Sequence, residues 1–202
     1  NAWANQIAHY YLSIGARKGD VIAVMLENRP ELIASVIGLA KIGVIAALVN
    51  TAQVAKVLAH SINLVKPIAV IVGEECRQAV ADIRQELELA ENRLYWFADQ
   101  NTRIDAGIAP GGFQNLAPCI ASFPSFNPAT TQSVQGKDGL FYIYTSGTTG
   151  LPKAVIFTNS RWTLAYGTYG HVLGLNQDDV MYCTLPLYHA TGIVVCWCGV
   201  IA

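Results

Sequence analysis

The sequence has few charged residues, and the two signs almost cancel. Of 202 residues, 13% are charged, with 13 Lys and Arg against 14 Asp and Glu and a formal net charge of −1. A nucleic-acid-binding protein normally presents a basic stripe or patch; this sequence has none, so nucleic acid is not an expected partner. Hydrophobic residues make up 52% of the chain, which argues against disorder and predicts a large buried core. A small-molecule ligand is therefore expected.

Cysteine is also scarce, with five irregularly spaced residues. This odd number, without a secretory leader at Asn1, predicts reduced, mostly buried thiols in a cytoplasmic protein. Cys196-Trp-Cys198 lacks the two intervening residues of common metal and redox motifs, so no metal site is predicted there. The chain lacks an initiator Met and ends in an apolar run at Ala202. We therefore expect it to be a piece of a longer protein.

One hydrophobic run is long enough to raise the question of a membrane span. Leu32 to Val49 is eighteen residues long and contains one charge, Lys41. Gly38 and Gly43 interrupt the run, which favours a helix packed on a sheet followed by a buried strand. Peripheral association with the cytoplasmic face of a membrane stays open as an alternative.

Helical and strand patterns alternate four times within residues 1–98. The predicted helices are 2–14, 30–42, 54–64 and 74–89, and the predicted strands are 21–26, 44–49, 68–72 and 94–97. The strands are continuous apolar runs, as in parallel sheets whose two faces are both buried. The pattern predicts an α/β fold, a mostly parallel sheet flanked by helices.

The next two parts of the chain differ from the first. Residues 99–136 are rich in Pro, Gly, Asn and Ser and lack periodicity, which predicts a long irregular surface connection. Regular patterns resume in 137–202. They predict strands over 140–145, 154–157 and 180–185, a helix capped at Thr158 that runs to about Gly170, and an apolar segment from Gly192 onwards.

The run from Tyr142 to Lys153 concentrates groups that handle phosphate. Its chemistry-bearing members are the hydroxyls of Thr145, Ser146, Thr148 and Thr149, the glycines Gly147 and Gly150, and the amine of Lys153. Glycines let backbone N–H groups approach an anion, and hydroxyls and lysine bind its oxygens. We call residues 145–153 the phosphate loop. A flexible Ser/Thr/Gly linker is the alternative, but a linker needs neither a lysine nor bulky flanking strands.

Two common nucleotide-binding motifs do not fit. Counting from Gly147, the P-loop pattern requires Gly, Lys and Ser or Thr where this chain has Pro152, Lys153 and Ala154. A P-loop also opens a helix, whereas residues 155–157 are strand-like. The chain contains no G-x-G-x-x-G dinucleotide fingerprint. The loop is therefore expected to join two strands and to bind phosphate without a helix dipole.

At this point the residues carry a family resemblance. The run Tyr144-Thr-Ser-Gly-Thr-Thr-Gly-Leu-Pro-Lys153 resembles the phosphate-loop motif of the adenylate-forming superfamily, which includes acyl-CoA synthetases and luciferases. Leu185-Pro-Leu-Tyr-His189, followed by Gly192, resembles the superfamily's next motif. Tyr142-Ile-Tyr and Ser160-Arg161 are most similar to the fatty acid transport protein branch, the very-long-chain acyl-CoA synthetases. The resemblance is strong over 140–192 and weak over 1–100.

The resemblance implies that the chain is an incomplete N-terminal AMP-binding domain of an acid–thiol ligase. Such an enzyme uses ATP and Mg²⁺ to convert a fatty acid to an acyl-adenylate and passes the acyl group to coenzyme A. The family's later motifs and its C-terminal lid domain lie beyond Ala202, so the segment alone is expected to be inactive. The alternatives are an aryl, bile or carnitine-like acid–CoA ligase, or a membrane-linked lipid-uptake protein with a regulatory nucleotide loop. The sequence does not predict an oligomeric state.

The resemblance also implies roles for individual residues. The nucleotide-binding segment comprises Tyr142, Ile143, Tyr144, Thr145, Ser146, Gly147, Thr148, Thr149, Gly150, Leu151, Pro152 and Lys153. Thr145 is expected to help place Mg²⁺, and Lys153 to bind the β- and γ-phosphates. His189 corresponds to a position that lies against the acyl carboxylate; taken alone, it would more often be a structural histidine. His9, His60 and His171 have no such context and are expected to be structural or solvated.

Two neighbours of His189 allow either a binding role or a structural one. Tyr188 is equally compatible with lining the acid pocket and with packing in the core. The apolar residues from Gly192 through Val195 fit part of an acyl tunnel or a buried helix about equally well.

Overall fold

The computed structural model describes residues 1–99, 112–146 and 150–201. The helices are α1 (Ala2–Ser13), α2 (Pro30–Lys41), α3 (Ala55–Leu64), α4 (Arg77–Asp82), α5 (Leu116–Ala121), α6 (Asn159–Val172) and α7 (Cys198–Ile201). The strands are β1 (Val21–Met25), β2 (Ile45–Leu48), β3 (Ala69–Gly73), β4 (Leu94–Phe97), β5 (Gln114–Asn115), β6 (Gly139–Thr145) and β7 (Lys153–Thr158). Short 3₁₀ turns occur at Glu74–Cys76, Arg84–Glu86 and Ala129–Ser133, and a π-helical segment at Thr191–Trp197.

The described strands form one sheet in the order β5-β4-β3-β1-β2-β6-β7. Neighbouring strands are parallel except for β6 and β7, which form an antiparallel hairpin. The predicted mostly parallel α/β sheet is therefore confirmed. The phosphate loop joins β6 to β7, so it connects two strands as expected and does not open a helix.

Helices cover both faces of the sheet because both faces are apolar. One core cluster packs α1, α2 and α5 against one face, and a second packs α3 and α4 against the other. In β6, Phe141 and Ile143 belong to the first cluster, while Tyr142 and Tyr144 contact the second. This alternation is that of a regular strand, in which successive side chains point to opposite faces of the sheet.

The long hydrophobic run divides as the sequence predicts. Its first part lies in α2, and β2 lies inside the sheet beside β1. Across the described ranges, no helix combines the length and the apolar character needed to cross a bilayer.

The structure differs from the predicted helix over 74–89. This stretch contains a 3₁₀ turn, the short helix α4 and a second 3₁₀ turn. A tertiary contact explains the early end: Asn63 donates a hydrogen bond to the Glu86 carbonyl (2.7 Å) and accepts one from the Glu88 N–H (3.0 Å). These contacts with α3 take the place of continued helical bonding.

The described part of 99–136 is more regular than the composition suggests. Strand β5 and helix α5 follow Phe113, and the side chain of Asn115 caps α5 by accepting a hydrogen bond from Ala117 N–H (3.2 Å). Leu116 and Ile120 are buried one helical turn apart, so α5 belongs to the core. Residues 100–111 lie outside the described part.

The strand predicted over 180–185 is absent. Val180 is 95% exposed and Tyr182 is 88% exposed. A strand requires a neighbouring strand for its N–H and C=O groups, and no described strand lies beside this stretch. An apolar run alone was therefore an insufficient signal here.

We predict that Gly38→Ala destabilises the fold while the same change at Gly167 does not. A Cβ at position 38, inside α2, would lie 2.6 Å from the Ala4 carbonyl oxygen and 3.0 Å from Ile7 Cβ in α1. Overpacking of this kind costs about 1–3 kcal/mol. Gly167 in α6 has open space around it, so alanine there should raise the free energy of unfolding by up to about 1 kcal/mol. Urea unfolding measures both; equal stability of the two variants would contradict this packing.

Candidate active site

The candidate site lies where β2 and β6 end. These strands are parallel neighbours, with Leu48 opposite Ile143, so the chain leaves both at the same edge of the sheet. Asn50 follows β2, and its side chain accepts a hydrogen bond from the Ala52 N–H (2.8 Å), forming a tight turn before α3. Thr145 ends β6 at the same edge. Carboxyl ends of parallel strands are where open α/β sheets bind ligands.

A cavity of about 500 Å³ opens at this edge. It is lined by Leu48, Asn50, Gln53, Tyr144, Thr145, Ser146, Gly150, Pro152, Tyr188 and His189. The structure thus brings both sequence motifs to one cavity, although they are about forty residues apart in the chain. Asn50 and Gln53 were not singled out as site residues from the sequence. The sequence signal that could have identified these two residues is the presence of polar side chains directly after a buried strand.

The phosphate loop presents unpaired hydroxyls to this cavity. Thr145 and Ser146 are exposed, and their side chains form no hydrogen bond with a described residue. Gly150 has φ +84°, the left-handed conformation that favours glycine. The predicted site residues Gly147, Thr148 and Thr149 lie outside the described residues.

Lys153 lines a second cavity, whose lining does not include His189. This cavity of about 550 Å³ is lined by His60, Leu64, Val65, Lys66, Tyr142, Leu151, Pro152, Lys153 and Ala154. Pro152 lines both cavities. Lys153 and Lys66 are exposed and form no ion pair with a described residue. Lys153 and the described hydroxyls of the loop therefore line different cavities that share Pro152.

Two predicted nucleotide-binding residues have buried side chains. Ile143 packs in the core on the α1 and α2 side, so only its backbone can reach a ligand. Tyr144 donates a hydrogen bond from its hydroxyl to the Ser61 carbonyl (2.7 Å). Burial, together with the nearby Tyr142, raises the pKa of Tyr144 above its ordinary value. Its phenol therefore stays protonated as a structural donor, and its ring forms part of the cavity wall.

His189 is held by a compact turn. Its N–H donates to the Pro186 carbonyl (3.1 Å), and its own carbonyl accepts from the Ile193 N–H (3.0 Å). The ring of Tyr188 lies 4.7 Å from the imidazole. Gly192 is required here, because a Cβ would collide with the carbonyl of Pro186. The imidazole itself forms no hydrogen bond with a described residue, so it is free to bind a ligand.

Asn28 fixes this turn from the other half of the chain. Its amide donates to the Leu185 carbonyl (2.8 Å) and accepts from the Leu187 N–H (2.7 Å). Asn28 follows β1, so the contact joins the edge of the sheet to the segment that bears His189. The sequence does not predict this role of Asn28, since a contact across 157 residues leaves no local signal.

In the strand order of the sheet, the direction of progression changes between β1 and β3. The space at the carboxyl ends of these two strands, the switch point of the sheet, is occupied by a cluster of charged side chains. Arg29 contacts both carboxylate oxygens of Glu31 (2.9 and 3.1 Å), one oxygen of Glu75 (3.0 Å) and the Ala98 carbonyl (2.9 Å). Burial lowers the pKa of Arg29, but the hydrogen bonds and charges of Glu31 and Glu75 outweigh it, and the pKa is raised. The Arg29 cluster thus occupies the ends of β1, β3 and β4, while the cavity opens where β2 and β6 end.

The lining residues fit a polyphosphate better than a bare metal ion. Free hydroxyls and a left-handed glycine suit phosphate oxygens. Oε1 of Gln53 is buried without a partner in the described part of the chain; as an acceptor, it suits an N–H or O–H group of a ligand and not a phosphate oxygen. Among the described residues, no carboxylate lines the cavity. Within residues 1–99, 112–146 and 150–201, no group of three or more His, Cys, Asp or Glu side chains is arranged to hold a metal.

Residues 1–202 match the protein family described as AMP-binding enzyme. The chain is 37% identical to long-chain fatty acid transport protein 1 of Rattus norvegicus over 195 residues, which is 96% of this chain and 29% of that protein. It is 35% identical to the medium/long-chain-fatty-acid–CoA ligase FadD6 of Mycobacterium tuberculosis over 202 residues, which is 100% of this chain and 31% of the ligase. The chain thus spans about three tenths of these relatives.

Solved structures share the fold. The anthranilate CoA ligase AuaEII, in complex with anthranoyl-AMP, superposes with a TM-score of 0.86 at 21% identity, covering 98% of this chain and 36% of that one. A long-chain-fatty-acid CoA ligase from Rhodopseudomonas palustris superposes with a TM-score of 0.80 at 24% identity, covering 98% and 46%. The expected resemblance to adenylate-forming enzymes, and to the transport protein branch, is confirmed.

We predict that Asn28→Ala loosens the His189 turn. The change removes both hydrogen bonds from Asn28, so the Leu187 amide hydrogen should exchange with solvent about tenfold faster. Asn63 makes the same kind of double contact with residues 86 and 88, away from the site, and Asn63→Ala is the matched control. Hydrogen exchange with residue resolution measures both; equal acceleration at Leu187 in the two variants would contradict the assignment.

Proposed function

Because the chain belongs to the AMP-binding enzyme family, we propose that it is the phosphate-loop part of an ATP-dependent fatty acyl-CoA ligase. The ligase activates a long- or very-long-chain carboxylic acid as an acyl-adenylate and transfers the acyl group to coenzyme A. One observation carries this proposal: Thr145, Ser146, Gly150 and His189 line a single cavity at the carboxyl edge of the sheet.

The chemistry accounts for these residue types. A carboxylate is a poor electrophile, and its attack on the α-phosphorus of ATP brings two anions together, so the site must stabilise negative charge on the phosphates and on the leaving pyrophosphate. Thr145 and Ser146 donate hydrogen bonds from their hydroxyls to phosphate oxygens. Lys153 supplies positive charge from the neighbouring cavity, which shares Pro152 with the first. We also propose that the remaining residues of the loop, Gly147 to Thr149, contact the phosphates.

His189 is proposed to bind the acid. Its imidazole lines the same cavity as the loop hydroxyls and has no competing partner in the described part of the chain. A ring N–H donates to a carboxylate oxygen, while the rest of the ring is apolar enough to line an acyl path. Tyr188 packs against the imidazole and limits its orientation. His189 and Lys153 are therefore the residues to which we assign a direct role in the reaction.

Thr145 is proposed to contribute one oxygen ligand to Mg²⁺. Mg²⁺ in nucleotide sites usually takes its other ligands from phosphate oxygens, water and one or two carboxylates. The described lining of the cavity offers no carboxylate, so we propose that Thr145 places the metal in company with bound ATP. When bound, Mg²⁺ neutralises charge on the phosphates.

The names of the relatives support a fatty acid as the acid substrate. One relative is named for long-chain and the other for medium- and long-chain fatty acids. An aryl, bile or carnitine-like acid is the alternative substrate. The word transport in the first name favours a second candidate, a membrane-linked lipid-uptake protein with a regulatory nucleotide loop.

These candidates are separated by measuring the release of pyrophosphate from ATP by a protein of full family length, in the presence of carboxylic acids of graded chain length. If no fatty acid changes the rate of release, the leading proposal is excluded.

The proposal also covers location and organisation. ATP and coenzyme A favour a cytoplasmic protein, either free or peripheral on the cytoplasmic face of a membrane. Residues 1–98, 99–136 and 137–202 are proposed as successive parts of one N-terminal AMP-binding domain. The lid domain of such ligases is assigned to sequence outside this segment, since the chain spans about three tenths of its relatives.

We predict that the 202-residue chain binds Mg-ATP but is inactive alone. The described cavity supplies groups for phosphate and acid, and the groups for ribose and the later half-reaction are assigned to sequence outside the segment. Radioactive ATP–pyrophosphate exchange with fatty acids of graded chain length should stay at the level of the acid-free control. Exchange that depends on the acid would overturn the prediction of inactivity.

We predict that Lys153→Ala weakens binding of Mg-ATP to the chain by about tenfold. A hydrogen bond to a charged group contributes about 1.5–3 kcal/mol, and one factor of ten corresponds to about 1.4 kcal/mol. Lys56→Ala is the matched control, because it removes the same charge from an exposed position on α3 that lines neither cavity. Isothermal titration calorimetry gives both affinities. An equal loss in the two variants would indicate a general charge effect, and no loss at Lys153 would contradict its role.

A further inference from the structure

Two consecutive residues of α3 contact the two ends of the phosphate loop. The Nε2 atom of His60 lies 3.1 Å from the carbonyl oxygen of Pro152, just before β7. The hydroxyl of Tyr144, near the end of β6, donates to the carbonyl of Ser61 at 2.7 Å. One turn of one helix therefore contacts the chain as it enters the loop and as it leaves it.

The exit from the loop has little other support. Thr145 and Lys153 form the last pair of the β6–β7 ladder, and Pro152 has no N–H with which to extend that ladder. β7 is the terminal strand in the order of the described sheet. The contact from His60 therefore satisfies a carbonyl at the point where the backbone turns into Lys153.

The chemistry of the contact fixes the form of the imidazole. A carbonyl oxygen only accepts hydrogen bonds, so Nε2 of His60 must carry the hydrogen. The same donor is present when the ring is doubly protonated. The ring also lines the cavity that is lined by Lys66 and Lys153.

We propose that His60 is a positioning residue for the phosphate loop. By donating from Nε2 to the Pro152 carbonyl, it holds the backbone from which Lys153 projects, and Ser61 holds the opposite end through Tyr144. The inference rests on the proposed function, because it assumes that the loop binds the phosphates of ATP. His60 acts on them through the loop and not by contact of its own.

The chain provides a matched control for His60. On α1, Nε2 of His9 lies 3.1 Å from the Phe126 carbonyl, the same kind of contact between a helix and a distant segment. His9 lines neither of the two cavities. A general loss of stability from removing a histidine contact should therefore appear in His9→Ala as well.

The experiment compares His60→Ala, His60→Gln and His9→Ala in the full 202-residue chain. Mg-ATP affinity is measured by calorimetry, and amide hydrogen exchange is measured over residues 150–158. We expect His60→Ala to bind about three- to tenfold more weakly and to exchange faster at these residues, as loss of one hydrogen bond implies. A Gln side chain can donate from its amide N–H to the same Pro152 carbonyl, so His60→Gln should bind Mg-ATP with an affinity within about twofold of that of the unmodified chain. His9→Ala should leave both measurements unchanged.

Each outcome decides the question. Unchanged affinity and unchanged exchange in His60→Ala would overturn the proposal, as would an equal effect in His9→Ala or a failure of Gln to restore binding. If the unmodified chain does not bind Mg-ATP, the proposed function fails, and exchange over 150–158 alone decides whether His60 holds the loop. If His60→Ala does not fold, His60→Leu, which keeps bulk but lacks the donor, replaces it in the comparison with His60→Gln.

Discussion

The parallel pairing of β2 with β6 is the constraint on which the site depends. Between these strands lie about ninety residues that form α3, β3, α4, β4 and the connection to β6, yet Leu48 and Ile143 lie opposite each other in the sheet. Because the strands are parallel, the polar residues after β2 and the phosphate loop after β6 meet at one edge. The same pairing places α3 beside the β6–β7 hairpin, so the helix that follows Asn50 also contacts both ends of the loop.

The ion pairs beside β1 contribute to the site without lining it. Arg29 joins Glu31 at the start of α2, Glu75 after β3 and the Ala98 carbonyl after β4. Buried ion pairs often add little net stability, because desolvation offsets their attraction, but they fix a particular arrangement of elements. Here the arrangement fixes the turn after β1, whose Asn28 holds the segment that bears His189. The contacts of Arg29 thus help to hold the turn that positions the His189 side of the neighbouring cavity.

The sequence predicts those features that short-range patterns control. Continuous apolar runs predict β1 to β4 because both faces of a parallel strand are buried, and alternation in β6 predicts that Tyr142 and Tyr144 share one face of the strand. The short helix α5 is missed because its cap at Asn115 and its two buried residues lie in a stretch dominated by turn-forming residues. The apolar run at 180–185 predicts a strand, but strand formation requires a partner that sequence composition does not reveal. Likewise, the residue types of the phosphate loop identify its chemistry, whereas the roles of Asn28 and His60 come from contacts across 157 and 92 residues.

The separation of polar groups around Pro152 limits how the loop can recognise an anion. Hydroxyls and the imidazole of His189 line one cavity, while Lys153 and Lys66 line the other. An anion that sits wholly within the first cavity would contact the hydroxyls but not Lys153, which lines only the second of the two cavities. A polyphosphate can instead extend along the loop and use both sets of donors, because successive phosphates are several ångströms apart. Discrimination between a single phosphate and a chain of phosphates would then reside in the position of the loop backbone itself, which is the part of the site that α3 holds.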